Sequence, residues 1–256
     1  MSGLLISTEC DGGLLRLTLD RPPGNILNGE LMDVLAASIV ESAKEPRLRL
    51  ILLDAQGDNF SFGAAVDEHT ADRVADMLRK LRQLILAISH SPVPVAAQVK
   101  GRCLGGAFEV VMACHFILAA EDAKFAVPEI RLGVIPPVAA VLLPRLCGGA
   151  LAAAMIIGGE EAIARDLAAA GLVHRCFPKS ELQIGVLAWF ESTLGRCSGA
   201  SLRVATKAAR SPWNATLRDD LVAMERIYLE QVLPLADATE GIDAFLEKRR
   251  PVWRHA

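Results

Sequence analysis

The chain has 256 residues, room for one large domain or two small ones, and 52% of them are hydrophobic, enough for a sizeable core. Aromatics make up only 5%, so Leu, Val, Ile and Ala must fill that core. A net charge of −3 without a basic block argues against nucleic acid as the main partner. Apolar stretches broken by Pro, Gly or charge argue against a membrane span. A start without a basic region or a cleavable apolar segment points to the cytoplasm.

In chain order, residues 4–9 and 14–19 read as two strands joined by the hairpin signal Asp11-Gly12-Gly13. Leu15, Leu17 and Leu19 share one face of the second strand, and Arg16 and Thr18 the other. Arg21-Pro22-Pro23-Gly24-Asn25 is a break. Apolar spacing from Asn28 to about Ala43 is helical, and residues 48–53 form a buried strand. Strand, helix, strand in this order suggests a crossover unit. The loop Gly57–Val66 is rich in small residues around Phe60 and Phe62. Asp67-Glu68-His69 reads as a solvated charge cluster, and residues 71–89 as an amphipathic helix.

The run Pro94–Val99 leads into Gly105-Gly106, which opens a helix bearing Glu109. Amides at a helix start have no partner within the helix and face a favourable dipole for negative charge. The stretch can therefore hold an oxyanion with a proton-transfer group one turn away. By itself the stretch reads first as an ordinary turn with a first-turn acid, and the other parts of the chain must supply the rest. Residues 116–120 and 124–127 follow as strands, and Pro128-Glu129 ends the second. Helices are expected near 139–146, 149–157, 160–170 and 180–195, with a short strand at 172–177. Beyond residue 198 the pattern is wholly helical, over 199–210, 214–233 and 237–247. This gives a core of residues 1–197 and a helical region of residues 198–256. The six cysteines contain no C-x-x-C pair and the five histidines no ligand spacing, so no metal site is expected.

Several pieces stand in one order: residues 21–28, Phe60–Ala64, Gly101–Glu109, Phe125–Glu129 and Phe245–Arg249. Together they resemble the crotonase (enoyl-CoA hydratase/isomerase) superfamily over essentially the whole chain. The resemblance implies an α/β fold, a spiral of ββα turns with a C-terminal helical region that builds a homotrimer or a dimer of trimers. It implies an acyl-CoA thioester as substrate and no separate cofactor, since coenzyme A is part of that substrate. By position it assigns the oxyanion hole to the backbone N–H groups of Phe62 and Gly106, and catalysis to Glu109 and Glu129. Phe60, Ala64 and Pro136 are expected around the acyl group, and Phe245 and Lys248 at the nucleotide end. The chemistry implied is water addition to a conjugated thioester, one acid taking a proton and the other giving one.

Two departures stand out: Phe62 where the family has a small residue, and Pro136-Pro137-Val138-Ala139-Ala140 where it has a glycine-rich turn. Both adjoin the expected acyl pocket and should reshape it, while Phe60–His69, Pro128–Val134 and Phe245–Arg249 together are similar to the branch that adds water 1,4 to a cyclic dienoyl-CoA in anaerobic aromatic degradation. A flat ring against Phe62 would fit. Competing readings are ordinary enoyl-CoA hydration, double-bond isomerisation, and a non-catalytic scaffold binding RNA or protein. Cys103 and Ser61 are weaker nucleophile candidates, each without an assigned base.

Overall fold

The computed structural model describes residues 3–256. Strands β1 (Leu4–Glu9) and β2 (Leu14–Leu19) form an antiparallel pair. Helix α1 (Gly29–Ser42) carries the chain to β3 (Leu50–Ala55), which pairs parallel to β2, so this segment is a crossover unit. Asn28 caps α1, its side chain accepting the Leu31 N–H at 3.1 Å. The third strand lies two residues later than its apolar run because Leu48 and Arg49 are held in a turn, their amides on the Glu45 and Gly13 carbonyls.

Helix α2 (Val74–Ser89) buries the side its spacing marks, including Met77, Leu78, Leu81 and Ile85. A repeating unit follows. Strand β4 (Val95–Val99), strand β5 (Arg102–Leu104) and helix α3 (Gly105–Ala113) make one turn; β6 (Phe116–Ala120), β7 (Lys124–Ala126) and α4 (Pro137–Cys147) make the next. Strands β4 and β6 are parallel neighbours in the larger sheet, and β5 and β7 in the smaller. Stacked ββα turns therefore generate both sheets. The remaining elements are α5 (Gly149–Gly158), β8 (Ala162–Ile163), α6 (Ala164–Ala169), β9 (Arg175–Phe177), α7 (Leu182–Ser192), α8 (Gly199–Ile227) and α9 (Ala236–Leu246). The six-stranded sheet runs β1-β2-β3-β4-β6-β9 and the three-stranded one β5-β7-β8.

Strand β2 is buried on both faces, against the expectation of a polar side. Arg16 is 6% exposed and lies between carboxylates of both flanking strands, at 2.7 Å from Glu9 and 2.8 Å from Asp54. A cation taken out of water is tolerable only when paired in this way.

The sequence pattern predicts a break in the helical tail near Pro212, but α8 runs through it. Pro212 removes one helix hydrogen bond. Its flanks are anchored to the body: Asn214 Nδ2 donates to the Ser89 carbonyl at 3.0 Å, and Arg210 to the Ala113 carbonyl at 3.3 Å. Helix α8 ends in a π turn, Tyr228–Val232, closed by the Leu233 amide on the Tyr228 carbonyl at 2.8 Å. Helix α9 returns to the body, and a Cβ on its Gly241 would stand 2.2 Å from the Leu132 carbonyl oxygen. That contact seats α9 against the single-turn helix Pro128–Leu132, which carries Glu129. No helix among the described residues is long and apolar enough to cross a membrane.

Candidate active site

Three glycines bring two backbone segments together. Gly63 has φ +107°, and a Cβ there would lie 2.9 Å from the Leu104 carbonyl oxygen. Gly105, the first residue of α3, has φ +50°, and its Cβ would lie 2.6 Å from Glu129 Oε1. A Cβ on Gly106 would meet the Ala64 Cβ at 3.0 Å and the Ala64 nitrogen at 3.4 Å. Gly106 sits in the turn whose amides have no acceptor within the helix.

The amide beside Gly106 belongs to Ala64, not to Phe62 as expected. Phe62 N–H is occupied, donating to the Gly24 carbonyl at 2.9 Å. Residues 27 and 64 form a parallel bridge in which Leu27 N–H bonds the Gly63 carbonyl and Ala65 N–H the Leu27 carbonyl. In such a bridge the groups of residue 64 itself point away from the partner strand. Ala64 N–H has no acceptor among the described residues. The signal in the sequence is Gly63, whose conformation turns the following amide toward α3.

Glu109 and Glu129 line one small chamber, together with Tyr228 and Met77, Leu81 and Pro137. Glu109 is 2% exposed, and its Oε1 accepts the N–H groups of Val138 and Ala139, each at 2.8 Å. It thereby caps the start of α4, which explains why the Pro136-Pro137 turn sits where it does: Pro has no amide to satisfy at a first helical position. Burial raises the Glu109 pKa to about 7 against the pull of those two donors. Glu129 is pushed well above the usual carboxylate range, first by burial and then by the charge of Glu109. Its Oε2 is buried without a hydrogen-bond partner. Charge on Glu109 disfavours charge on Glu129, so the two acids lose their protons one after the other rather than independently. The donors on Glu109 favour its ionised form, leaving the proton on Glu129.

Folding is linked to this proton. Between about pH 4.5 and 7 the folded protein keeps a proton at Glu109 that the unfolded chain has released. Stability therefore falls as pH rises through that window, by about 3 kcal/mol from this group, and the raised Glu129 adds to the fall in the same direction. Urea unfolding at pH 5 and pH 8 should show a larger loss in wild type than in Glu109→Gln. Equal losses would refute it.

The chamber has free volume of only about 10 Å³, the room one water needs. It opens at Ala64, Gly106 and Glu129 into a largely apolar groove of about 460 Å³, a size that suits a small acyl group. Phe62, Leu104, Leu132 and Phe245 wall the groove. Phe62 and Phe245 are half-exposed there.

Other expected contacts fall elsewhere. Phe60 is a core residue, 2% exposed, with its amide shared between the Lys100 and Arg102 carbonyls. Pro136 is buried before α4, and its neighbours Ile135 and Pro137 reach the chamber instead. Phe245, expected at the nucleotide end, lines this groove together with Arg131, whereas Lys248, expected at the same end, lies outside it. Asp67-Glu68-His69 is not simply solvated. Glu68 accepts the Gly29 amide at 2.9 Å, and His69 lines both chamber and groove with its Nδ1 3.0 Å from the Ala65 carbonyl. Burial lowers the His69 pKa, so it is neutral with Nδ1 as donor. Nothing but the bare residue type marks His69 in the sequence.

The two nucleophile candidates are structural. Ser61 donates to the Asn25 carbonyl at 2.7 Å and accepts the Gly63 amide, with no base beside it. Burial holds the Cys103 thiol well above its ordinary value. Among the described residues, no three His, Cys, Asp or Glu side chains converge as metal ligands.

The sequence profile described as "Enoyl-CoA hydratase/isomerase" matches residues 9–256. The chain is 41% identical over 254 residues to "Cyclohexa-1,5-dienecarbonyl-CoA hydratase" of Thauera aromatica, covering 99% of this chain and 98% of that one. It is 32% identical to "2,3-dehydroadipyl-CoA hydratase" of Escherichia coli (strain K12), covering 98% of each. Among solved structures it is similar to an enoyl-CoA hydratase from Mycobacterium avium subsp. paratuberculosis K-10. There the TM-score is 0.86 at 26% identity, with 98% of each chain covered.

Proposed function

The chain belongs to the enoyl-CoA hydratase/isomerase family and is an acyl-CoA hydratase, and from that premise we propose a substrate and a division of labour. The substrate is cyclohexa-1,5-diene-1-carboxyl-CoA, and the product is 6-hydroxycyclohex-1-ene-1-carboxyl-CoA. The Glu109 carboxylate removes a proton from water as its oxygen attacks the ring carbon β to the thioester. Charge moves onto the thioester oxygen, held by the amides of Ala64 and Gly106. The dienolate then takes a proton from Glu129 at the far carbon of the other double bond. Proton transfer from Glu109 to Glu129 resets the pair.

The observation that carries this reading is the buried acid pair. Two carboxyls on successive ββα turns line one chamber, and the hydrogen bonds on Glu109 separate their roles. An isomerase needs a proton shuttle but no water, whereas here the space beside both acids has the size of one water. The cyclic acyl group is supported by the 41% identity to the Thauera aromatica hydratase and by the wide apolar groove.

The test is a panel of linear crotonyl-CoA and the cyclic dienoyl-CoA, with wild type and Glu109→Gln, read by product mass. The expected result is a gain of about 18 Da, water's mass, with preference for the cyclic ester of at least about a hundredfold in kcat/KM, the scale by which a pocket contact discriminates. Preference for crotonyl-CoA would overturn the acyl group, and a product of unchanged mass would overturn hydration.

A further inference from the structure

Tyr228 is the one tyrosine in the chain. It is 1% exposed, and its hydroxyl has no hydrogen-bond partner. Leaving a buried hydroxyl unpaired costs about 1–3 kcal/mol, so its survival at this position asks for a reason. The ring lines the chamber that holds Glu109 and Glu129. It stands at the first residue of the π turn that ends α8, a distortion frequent at functional sites. The second unpaired polar atom in the same chamber is Glu129 Oε2. A pocket the size of one water needs two to four polar partners to hold it.

We propose that the Tyr228 hydroxyl is the third partner of the attacking water and, after addition, of the product hydroxyl group. This rests on the hydration reading above. The two protons of the water point to Glu109 and to Glu129 Oε2. The Tyr228 O–H donates to one lone pair of the water oxygen, and the remaining lone pair faces the substrate carbon. The same O–H then donates to the newly formed alcohol oxygen. Tyr228 so selects a substrate stage that carries an oxygen at this spot and gives nothing to an acyl-CoA without one.

Tyr228→Phe tests it, read as two dissociation constants and one rate. Affinity for the hydroxylated product should fall about tenfold, the value of one hydrogen bond, while affinity for cyclohexanecarboxyl-CoA, which lacks the hydroxyl, stays within twofold. Hydration kcat should fall about tenfold to a hundredfold. Because the hydroxyl has no partner in the free protein, the thermal midpoint should hold or rise. Equal effects on both ligands, or none on either, would overturn the role. If the variant does not fold, a crystal structure of wild type with bound product decides instead, and a product hydroxyl beyond hydrogen-bond reach of Tyr228 refutes the proposal. A wild type that hydrates only linear esters overturns the acyl group alone, since the same comparison runs with a 3-hydroxyacyl-CoA and its saturated parent. A wild type that hydrates no CoA ester ends both readings.

Discussion

Glu129→Gln and Glu109→Gln should each lower hydration kcat by about a thousandfold, the middle of the range for a positioned acid or base, with KM changed less than about threefold. Each replacement keeps the shape of the side chain. The amide oxygen at position 109 can still accept the Val138 and Ala139 amides, so α4 stays capped. At position 129 the amide has nearly the shape of the carboxyl it replaces, whose neutral form burial favours, so packing beside Gly105 is preserved. What disappears is the ability to take a proton from water in one case and to give one to carbon in the other. Because the two act on one turnover, the double variant should lie no more than about tenfold below the worse single one. Single-turnover rates measured above KM check this. A Glu129→Gln enzyme within tenfold of wild type would remove Glu129 from the reaction.

The same variants separate activity from stability. Removing the ionisable group at 109 relieves the burial that raises its pKa, so a crippled enzyme should be the more stable one at pH 8. Active sites commonly hold such costs, which is why consistency between local rules and fold breaks there first.

Elements that depend on periodicity alone are legible in the order of residues. Residues 4–9, 14–19 and 116–120 are strands with the limits their patterns predict, and Asn28 caps the helix that follows it. The acids are less legible from the residues alone, where Glu109 reads as an ordinary first-turn acid and Glu129 as a routine loop acid; only the family resemblance pairs them, and the two do line one chamber. What the pattern hides depends on partners distant along the chain. Strand β5 is three residues long and is held by β7 on one side and by Ser61 on the other. The direction of the Phe62 amide is decided by Gly24, and the neighbourhood of His69 and Tyr228 by the return of α8 and the 60s loop to one chamber. Pro212 misleads because a missing helix bond is small against the anchoring of Arg210 and Asn214 on the body. Phe60 misleads in the opposite sense: a loop aromatic beside the site is core.

Gly106→Pro should lower kcat/KM by about a thousandfold, and Gly106→Ala by about tenfold, so that the difference reports on the position of the Gly106 amide. Both variants add the same Cβ, which meets the Ala64 Cβ at 3.0 Å and its nitrogen at 3.4 Å. Ala64 must therefore give by a few tenths of an ångström in either variant, and that shared displacement is the tenfold. Pro also deletes the N–H and puts its ring Cδ where that hydrogen pointed, so its further loss reports the lost donor together with the filled oxygen position. Pro is tolerated in a first helical turn, where the amide has no partner in the helix, so α3 need not unravel, and near-identical circular dichroism should show this. The further hundredfold is the low end of what a lost oxyanion donor costs, about 2.7 kcal/mol. If the thioester oxygen were held elsewhere, the two variants would fall together. If the Phe62 amide were the second donor after all, it would have to leave the Gly24 carbonyl at 2.9 Å on substrate binding. The separation between Pro and Ala at 106 would then remain, while a crystal structure with a bound acyl-CoA would put the carbonyl oxygen against residue 62. With Ala64 as donor, the oxygen stands between Ala64 and Gly106 and the Phe62–Gly24 bond is intact.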